Sequence, residues 1–328
     1  MQVDSELSIY NYDTKLLYTP KVIDGVTWTT EREGTPGQLE FKVYSDDVLK
    51  FEEGNEVRFT VNGEKIFFGY VFTRKWSKDG AISVTAYDQL RYLKNKDTIV
   101  YKNKTATQLI KMIAKDYGLK TGELADTKYK IAARIEDNTT LFDMILNALY
   151  LTTNNKKQMY VLYDDFGKLT LKSIKDMKVK AEDGYLLINE NSAQNFDYKS
   201  SIDEKVYNQI KLVYTNDKKK RKVYMAKDSK NIGRWGVLQL YETLQKGENG
   251  KNKAKAMLNL YDVKTQTLQL KDVTGNASVR GGSLIATQLD FGNDVVINNF
   301  MLVEKCKHEF KESEWFMDLT LRGGDINA

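Results

Sequence analysis

Apolar and polar residues alternate through most of the first hundred positions, and a period of two is the mark of half-buried β-strands. Leu39, Phe41 and Val43 make one such run, and Val57, Phe59 and Val61 a second. Ile66, Phe68, Tyr70 and Phe72 make a third and predict one apolar strand face. Asn62-Gly63 separates the last two runs; both residues tolerate positive φ, which predicts a type I′ hairpin. A second hairpin is expected at Asp79-Gly80, leading into Ile82, Val84 and Ala86. Short strands at this spacing predict a small sandwich or barrel over residues 1–100.

After residue 100 the period lengthens. Thr105 and Gln108 have capping-box spacing, Leu109, Ile113 and Tyr117 follow at four-residue intervals, and Gly118 supplies a left-handed stop. A second helix is expected from about Thr140, with Phe142, Ile145 and Leu149 on one face. A hairpin then joins Met159–Tyr163 to Leu169–Leu171 through a turn at 164–167. Residues 101–194 therefore read as a small α+β insert. From 195 to 328 the pattern returns to β, with Ile210, Leu212 and Tyr214 facing Val223 and Met225 across a basic turn. One helix is expected near 252–262, carried by Ala254, Met257, Leu258 and Tyr261. Strands resume at Leu268–Leu270, Leu284–Phe291, Phe300–Phe310 and Trp315–Leu321. The fold class is mainly β with an α+β insert, and two β units around an insert could be two related barrels. No Pro-rich or Gly/Ser-rich linker divides the chain, so interlocked or closely docked units are expected.

Composition narrows the chemistry. The 328 residues are 41% hydrophobic and 29% charged, which fits a folded chain of two or three domains. No apolar run is long enough for a membrane span, and the start of the chain, with Asp4 and Glu6, does not read as a secretory signal. Synthesis in the cytoplasm is expected. The net charge of +5, from 50 basic and 45 acidic residues, is a mixed surface and not the footprint of a dedicated nucleic-acid binder. One cysteine, Cys306, excludes an intrachain disulfide and a cysteine metal cluster, and one histidine, His308, argues against a histidine metal site or a Ser-His-Asp triad.

Four features remain as candidate sites. Cys306 and His308 lie two apart on a predicted strand and share parity with Phe300, Leu302 and Phe310. A Cys–His catalytic pair would need an orienting third group; the plainer reading is a half-buried strand face with a satisfied histidine. The run Lys218 to Lys222 is five consecutive basic residues, read as a solvated hairpin tip because no aromatic residues interleave with it as a nucleic-acid face would require. The turn pairs Asp164-Asp165 and Asp46-Asp47 are expected to bond their own backbone and not to form a hydrolase cleft. Gly281-Gly282 and Gly323-Gly324 precede no helix and fit no phosphate loop. The 20 tyrosines suit partly wet interfaces as well as strands. No catalytic, cofactor-binding or metal-binding residue is assigned, and no cofactor is expected.

Particular strings carry a resemblance. The run from Ser83 to Asp97 (SVTAYDQLRYLKNKD) resembles a segment of the XkdQ/YqbQ family of PBSX-type prophage tail proteins. Upstream, Pro36-Gly37 with Leu39 and Phe41, then Glu53-Gly54, then Phe67–Phe72, stand in the family's order. Downstream, so do Tyr163–Leu171, Val206–Leu212, Ala226–Ser229 and Trp235–Gln239, and finally Val303-Glu304, His308–Phe310 and Met317–Gly324. The matches span nearly the whole chain. The resemblance implies a baseplate hub of a contractile phage-type tail or R-type bacteriocin, related to the base of type VI secretion spikes. It implies a homotrimer in which each subunit gives two similar β-barrel domains, 1–100 and 195–328, to a pseudo-sixfold ring. That ring would adapt the sixfold tail tube to the threefold central spike, with other baseplate proteins as further partners. No catalytic residue comes with it. The particle would assemble in the bacterial cytoplasm and leave by lysis. The alternatives on the residues alone are a tail-associated cell-wall hydrolase, for which only Cys306 and His308 are available, and a carbohydrate-binding module.

Overall fold

The structure, a computed structural model, describes residues 3–45, 47–192, 194–215, 220–244, 248–290, 292, 296–311 and 314–323. The first region comprises β1 (Ser5–Asn11), β2 (Leu16–Tyr18), β3 (Val22–Glu31), β4 (Gln38–Tyr44), β5 (Glu56–Val61), β6 (Glu64–Trp76) and β7 (Ala81–Tyr87). A 3₁₀ helix (Gln89–Lys94) leads into β8 (Lys96–Lys104), α1 (Ala106–Asp116), β9 (Thr121–Leu124), β10 (Ile131–Thr140), α2 (Leu141–Lys156), β11 (Tyr160–Asp164) and β12 (Leu169–Ser173). Three two-residue strands follow: β13 (Lys180–Ala181), β14 (Gly184–Tyr185) and β15 (Leu187–Ile188). The last region holds β16 (Asn195–Ser201), β17 (Gln209–Thr215), β18 (Arg221–Lys227), α3 (Ser229–Trp235), β19 (Gln239–Thr243) and α4 (Gly250–Tyr261). It ends with β20 (Thr265–Thr274), β21 (Leu284–Asp290), β22 (Val296–Lys311) and β23 (Glu314–Gly323).

Local signals fold as their chemistry dictates. Asn62 and Gly63 take φ of 50° and 76°, as a type I′ turn requires. Thr105 and Gln108 make both bonds of a capping box, and Gly118 ends α1 in the left-handed region. Thr140 caps α2, and α4 occupies the expected place. The middle region closes over Leu93, Leu109, Ile113, Leu141, Met144, Leu169 and Leu171, all fully buried. Each such side chain contributes roughly 1.5–3 kcal/mol of burial. Both faces of β11 are covered: Tyr160 and Leu162 pack with α1 and α2, and Val161 and Tyr163 pack with Leu284 and Leu302.

Thirteen described strands join in one sheet, ordered β16-β20-β23-β22-β3-β4-β7-β6-β5-β1-β2, with β21 and β15 branching from β22. Among the described residues the two ends, β16 and β2, do not pair, so the sheet does not close. The 16-residue β22 splices the first and last β regions. One of its sides pairs with β21 over Val296–Leu302 and then with β3 over Lys305–Phe310. Its other side pairs with β23. A separate three-stranded sheet, β18-β17-β19, packs on α4 through Ile210, Leu212 and Met257. No helix among the described residues is long and apolar enough to cross a membrane.

Two predicted strand faces are split by extra residues. Phe59 pairs with Phe67 but Thr60 pairs with Lys65, which makes Ile66 a bulge. Ile66 and Phe67 are therefore both buried, and the parity inverts beyond them. Phe67 and Val71 enter the core, while Phe68, Tyr70 and Phe72 face outward, towards the rings of Phe166 and Tyr92. In β22 the register shifts between Val303 and Lys305. Phe300 and Leu302 consequently pack with Val161 and Tyr163, whereas Cys306 joins Met301 and Val303 in a different cluster.

Candidate functional site

The sole histidine lies where β22, β23 and the loop from Gly275 to Ser283 meet. Trp315 Nε1 donates to His308 Nδ1 at 3.0 Å, and His308 Nε2 lies 2.9 Å from the Val279 carbonyl. An indole N–H only donates and a carbonyl only accepts, so Nδ1 is bare and Nε2 carries the proton. Cys306 Sγ lies 3.1 Å from the same Nε2. The imidazole stacks between Trp28, at 4.8 Å, and Phe310, at 5.9 Å. Both residues are fully buried. Burial pushes the His308 pKa down to about 4 and holds the Cys306 thiol well above its ordinary range. The imidazole is thus neutral with both nitrogens occupied, and the sulfur is a thiol. Nucleophilic chemistry needs a thiolate and access, and this pair has neither.

The loop from Gly275 to Ser283 touches all three regions. Gly281 N–H donates to Thr30 Oγ1 on β3 at 2.9 Å, Gly282 N–H donates to the Val303 carbonyl at 2.8 Å, and Gly282 lies against the Val161 side chain. The Gly281-Gly282 doublet thus serves close backbone approach. The Arg280 guanidinium lies 4.2 Å from the Tyr163 ring and 5.7 Å from that of Trp28.

Two buried carboxylates share this neighbourhood. Asp88 Oδ2 accepts from Gly37 N–H and its Oδ1 from Leu90 N–H, both at 2.9 Å. Asp164 Oδ1 accepts from Gly167 N–H at 2.6 Å, while its Oδ2 is buried without a described partner. Desolvation holds Asp88 well above the usual carboxylate range, the Asp164 charge adds to this, and Arg280 opposes it. Desolvation likewise raises Asp164, against the Gly167 hydrogen bond, the nearby Gln89 side-chain amide and Arg280. Among the described residues no group of three or more His, Cys, Asp or Glu side chains is placed to hold a metal.

The other sequence candidates separate in space. Asp164 bonds its own turn as expected, Asp165 is exposed, and Asp46 lies outside the described residues. Lys218 and Lys219 also lie outside them, as does Gly324. Lys220, Arg221 and Lys222 are exposed. Contrary to expectation, aromatic rings do adjoin the run: Lys222 Nζ lies 5.2 Å from the Tyr224 ring, and Arg221 donates to the Tyr241 hydroxyl at 3.4 Å. Tyr241 comes from β19, so its approach is a tertiary fact. The junction residues Asp88 and Arg280 escaped sequence reasoning. Asp88 stands one residue before a helical turn, a capping signal that could have found it.

The model of one family, described as YqbQ-like, matches residues 26–322. The phage-like element PBSX protein XkdQ of Bacillus subtilis is 30% identical over 272 residues, 81% of each chain. Among solved structures, the 43 kDa tail protein of prophage MuSo2 from Shewanella oneidensis matches with a TM-score of 0.67 at 15% identity, over 96% of this chain and 98% of its own. An E. coli type VI secretion component, described as similar to T4 bacteriophage tail proteins, matches with a TM-score of 0.57 at 11% identity, over 96% of this chain and 75% of its own. At these identities the structural matches establish a shared fold.

Proposed function

Because the chain belongs to the YqbQ-like family, we propose that it is a structural subunit of the baseplate hub in a contractile, phage-like tail. The observation that carries this reading is the near-complete fold match to a prophage tail protein. In this reading the regions 1–100 and 195–328 are the two ring-forming β halves, and 101–194 is the insert between them. Three copies would form a pseudo-sixfold ring between the tail tube and the threefold spike, held by neighbouring baseplate proteins. The open ends of the long sheet support assembly, since unpaired strand edges are templates for other chains and are normally covered. The buried, hydrogen-bonded Cys306–His308 pair supports a protein that works without catalysis or cofactor. Synthesis in the cytoplasm and release by lysis belong to the same proposal.

Mass measurement of the full chain in solution, with imaging of particles made without it, tests the reading. A trimer and the absence of complete tails are expected. Normal tails assembled without this chain would refute it.

A further inference from the structure

The outer face of the three-stranded sheet β18-β17-β19 is open to solvent. Ile210, Leu212 and Tyr214 of β17 turn inward to α4, so Lys211 and Val213 turn outward. The register sets Arg221, Val223, Met225 and Lys227 of β18 beside them on one side, and Tyr241 of β19 on the other. Val223, Met225 and Tyr241 are each about half exposed. Arg221 donates to the Tyr241 hydroxyl at 3.4 Å across the face, and Val213 between them is buried. The face therefore has an apolar centre, with cations at both ends of β18.

No Asp or Glu occupies an outward position on these three strands. Lys211, Arg221 and Lys227 make no ion pair among the described residues, while Lys253, on the α4 side of the sheet, pairs with Glu242 and Glu248. The imbalance is regional. Residues 205–262 carry 14 Lys and Arg against 5 Asp and Glu, a net charge of +9 in a chain of net +5. Residues 1–64 carry 13 Asp and Glu against 6 Lys and Arg, a net charge of −7. An apolar centre with Met, Tyr and Arg is the composition of a protein interface. A nucleic-acid face would ask for several stacking aromatics, and only Tyr241 points outward here.

The other end of the strand order, at β1 and β2, carries the complement. Asp4 and Glu6 stand at the start of β1, and Glu64 joins them because Val61 pairs with both Ser5 and Glu64. Asp13 lies beyond the far end of β1. All four carboxylates are on exposed residues and make no ion pair among the described residues. Lys15 and Lys21 offset them only in part. Tyr12, Leu16 and Leu17 beside Asp13 are each about half exposed. β1 and β18 are both seven residues long, roughly 20 Å, so the two charge-flanked strands match in length.

We propose that the outer face of β18-β17-β19 docks against the β1–β2 end of a second copy of this chain. Lys211, Arg221 and Lys227 meet Asp4, Glu6, Asp13 and Glu64 of that copy, and the exposed apolar side chains of both surfaces pack between them. Opposite charges steer the encounter and fix its register, and the apolar centre supplies the burial. A surface that meets a different surface on the next copy makes a head-to-tail contact, which closes into a ring where the rotation allows. The proposal deepens the hub reading and rests on it, since it names the contact between ring neighbours.

The test uses the full-length protein, with association read by sedimentation velocity over a concentration series at about 50 and about 500 mM salt. Oligomers that weaken at the higher salt are expected. Lys211→Glu with Lys227→Glu should weaken association about 10-fold or more, and Glu6→Lys with Asp13→Lys should do the same. All four changes in one chain should recover most of the loss, which a misfolded variant could not do. Trimers that form equally well in both paired variants would overturn this contact and leave the hub reading standing. A parent chain that stays monomeric would overturn it too, and particle imaging would then decide the hub reading alone. Single-stranded DNA bound by the parent and lost in Lys211→Glu with Lys227→Glu, with assembly unchanged, would assign the face to nucleic acid and overturn the proposal.

Discussion

Gly281→Ala should be among the most damaging single-methyl changes in this protein. A Cβ at that position would sit 2.6 Å from Arg32 N and against the Glu31 backbone, where β3 is already paired with β4 and β22. Backbone in the middle of a sheet cannot yield, so the loop must withdraw. Withdrawal breaks the Gly281 N–H bond to Thr30 Oγ1 and draws the Val279 carbonyl away from His308 Nε2. Each buried polar group left unpaired costs about 1–3 kcal/mol, and overpacking costs a further ~1–3 kcal/mol. Allowing for partial relaxation, a loss of ~3–5 kcal/mol is expected. Urea unfolding followed by circular dichroism and tryptophan fluorescence measures it. Thr30→Val removes the acceptor without the clash and should lose only ~1–2 kcal/mol. Gly233→Ala in α3, where a Cβ meets nothing within 4 Å and φ is ordinary, should be neutral or stabilising by up to ~1 kcal/mol. The reasoning is refuted if Gly281→Ala costs no more than Thr30→Val.

His308 is neutral and buried, so its folded pKa of about 4 lies below its unfolded value of 6.5. Its stabilisation is complete above pH 6.5 and is lost as pH falls towards 4, by roughly 3 kcal/mol in all. NMR of this single imidazole should show no titration between pH 7 and 5, and a midpoint near 6.5 in the folded protein would contradict the burial. Cys306 should resist thiol reagents at pH 8 until the protein is unfolded, after which one thiol should react; rapid native labelling would show the pair to be accessible. Thr105→Ala should cost ~1 kcal/mol through loss of the α1 cap, read as a shift in urea midpoint, and an unchanged midpoint would show the cap to be energetically idle.

The sequence carries its short-range information openly. The Asn62-Gly63 turn, the Thr105–Gln108 box and the stop at Gly118 each depend on a few neighbouring residues, and each is legible without tertiary context. What hides is whatever one extra residue can invert. Ile66 looks like the first member of an outward-to-core alternation, yet as a bulge it reverses the facing of Phe68, Tyr70 and Phe72. The shift after Val303 divides Phe300 and Leu302 from Cys306 in the same way. Apolar identity is preserved on both sides of each bulge, so no hydrophobicity pattern could reveal it. The junction is hidden for a different reason. Thr30, Asp88, Asp164 and Arg280 are far apart in sequence, and only strand order makes them neighbours.

That junction yields a contrast between two carboxylates of the same charge. Asp88 uses both oxygens as acceptors, one for Gly37 N–H and one for Leu90 N–H. Asn can accept on only one side, and its amide group would face an N–H on the other, so Asp88→Asn leaves a buried donor unpaired at ~1–3 kcal/mol. Asp164 uses only Oδ1, for Gly167 N–H, and its Oδ2 is already without a described partner. Asp164→Asn keeps the existing bond and removes a buried charge. The pKa directions set the pH dependence. Both folded values lie above the unfolded range, so the native state binds these protons more tightly than the unfolded chain. Stability from this pair is greatest in acid and declines as pH rises through the folded values. With Asp164 neutralised, one carboxylate and Arg280 remain, the Asp164 charge that raises Asp88 disappears, and the decline should shallow. At pH 8 Asp164→Asn should therefore be as stable as the parent or more so, while Asp88→Asn should be clearly weaker. Urea midpoints at pH 5 and pH 8 separate the two. An Asp88→Asn variant as stable as Asp164→Asn at pH 8 would mean that charge, and not hydrogen-bond geometry, decides what each carboxylate does there.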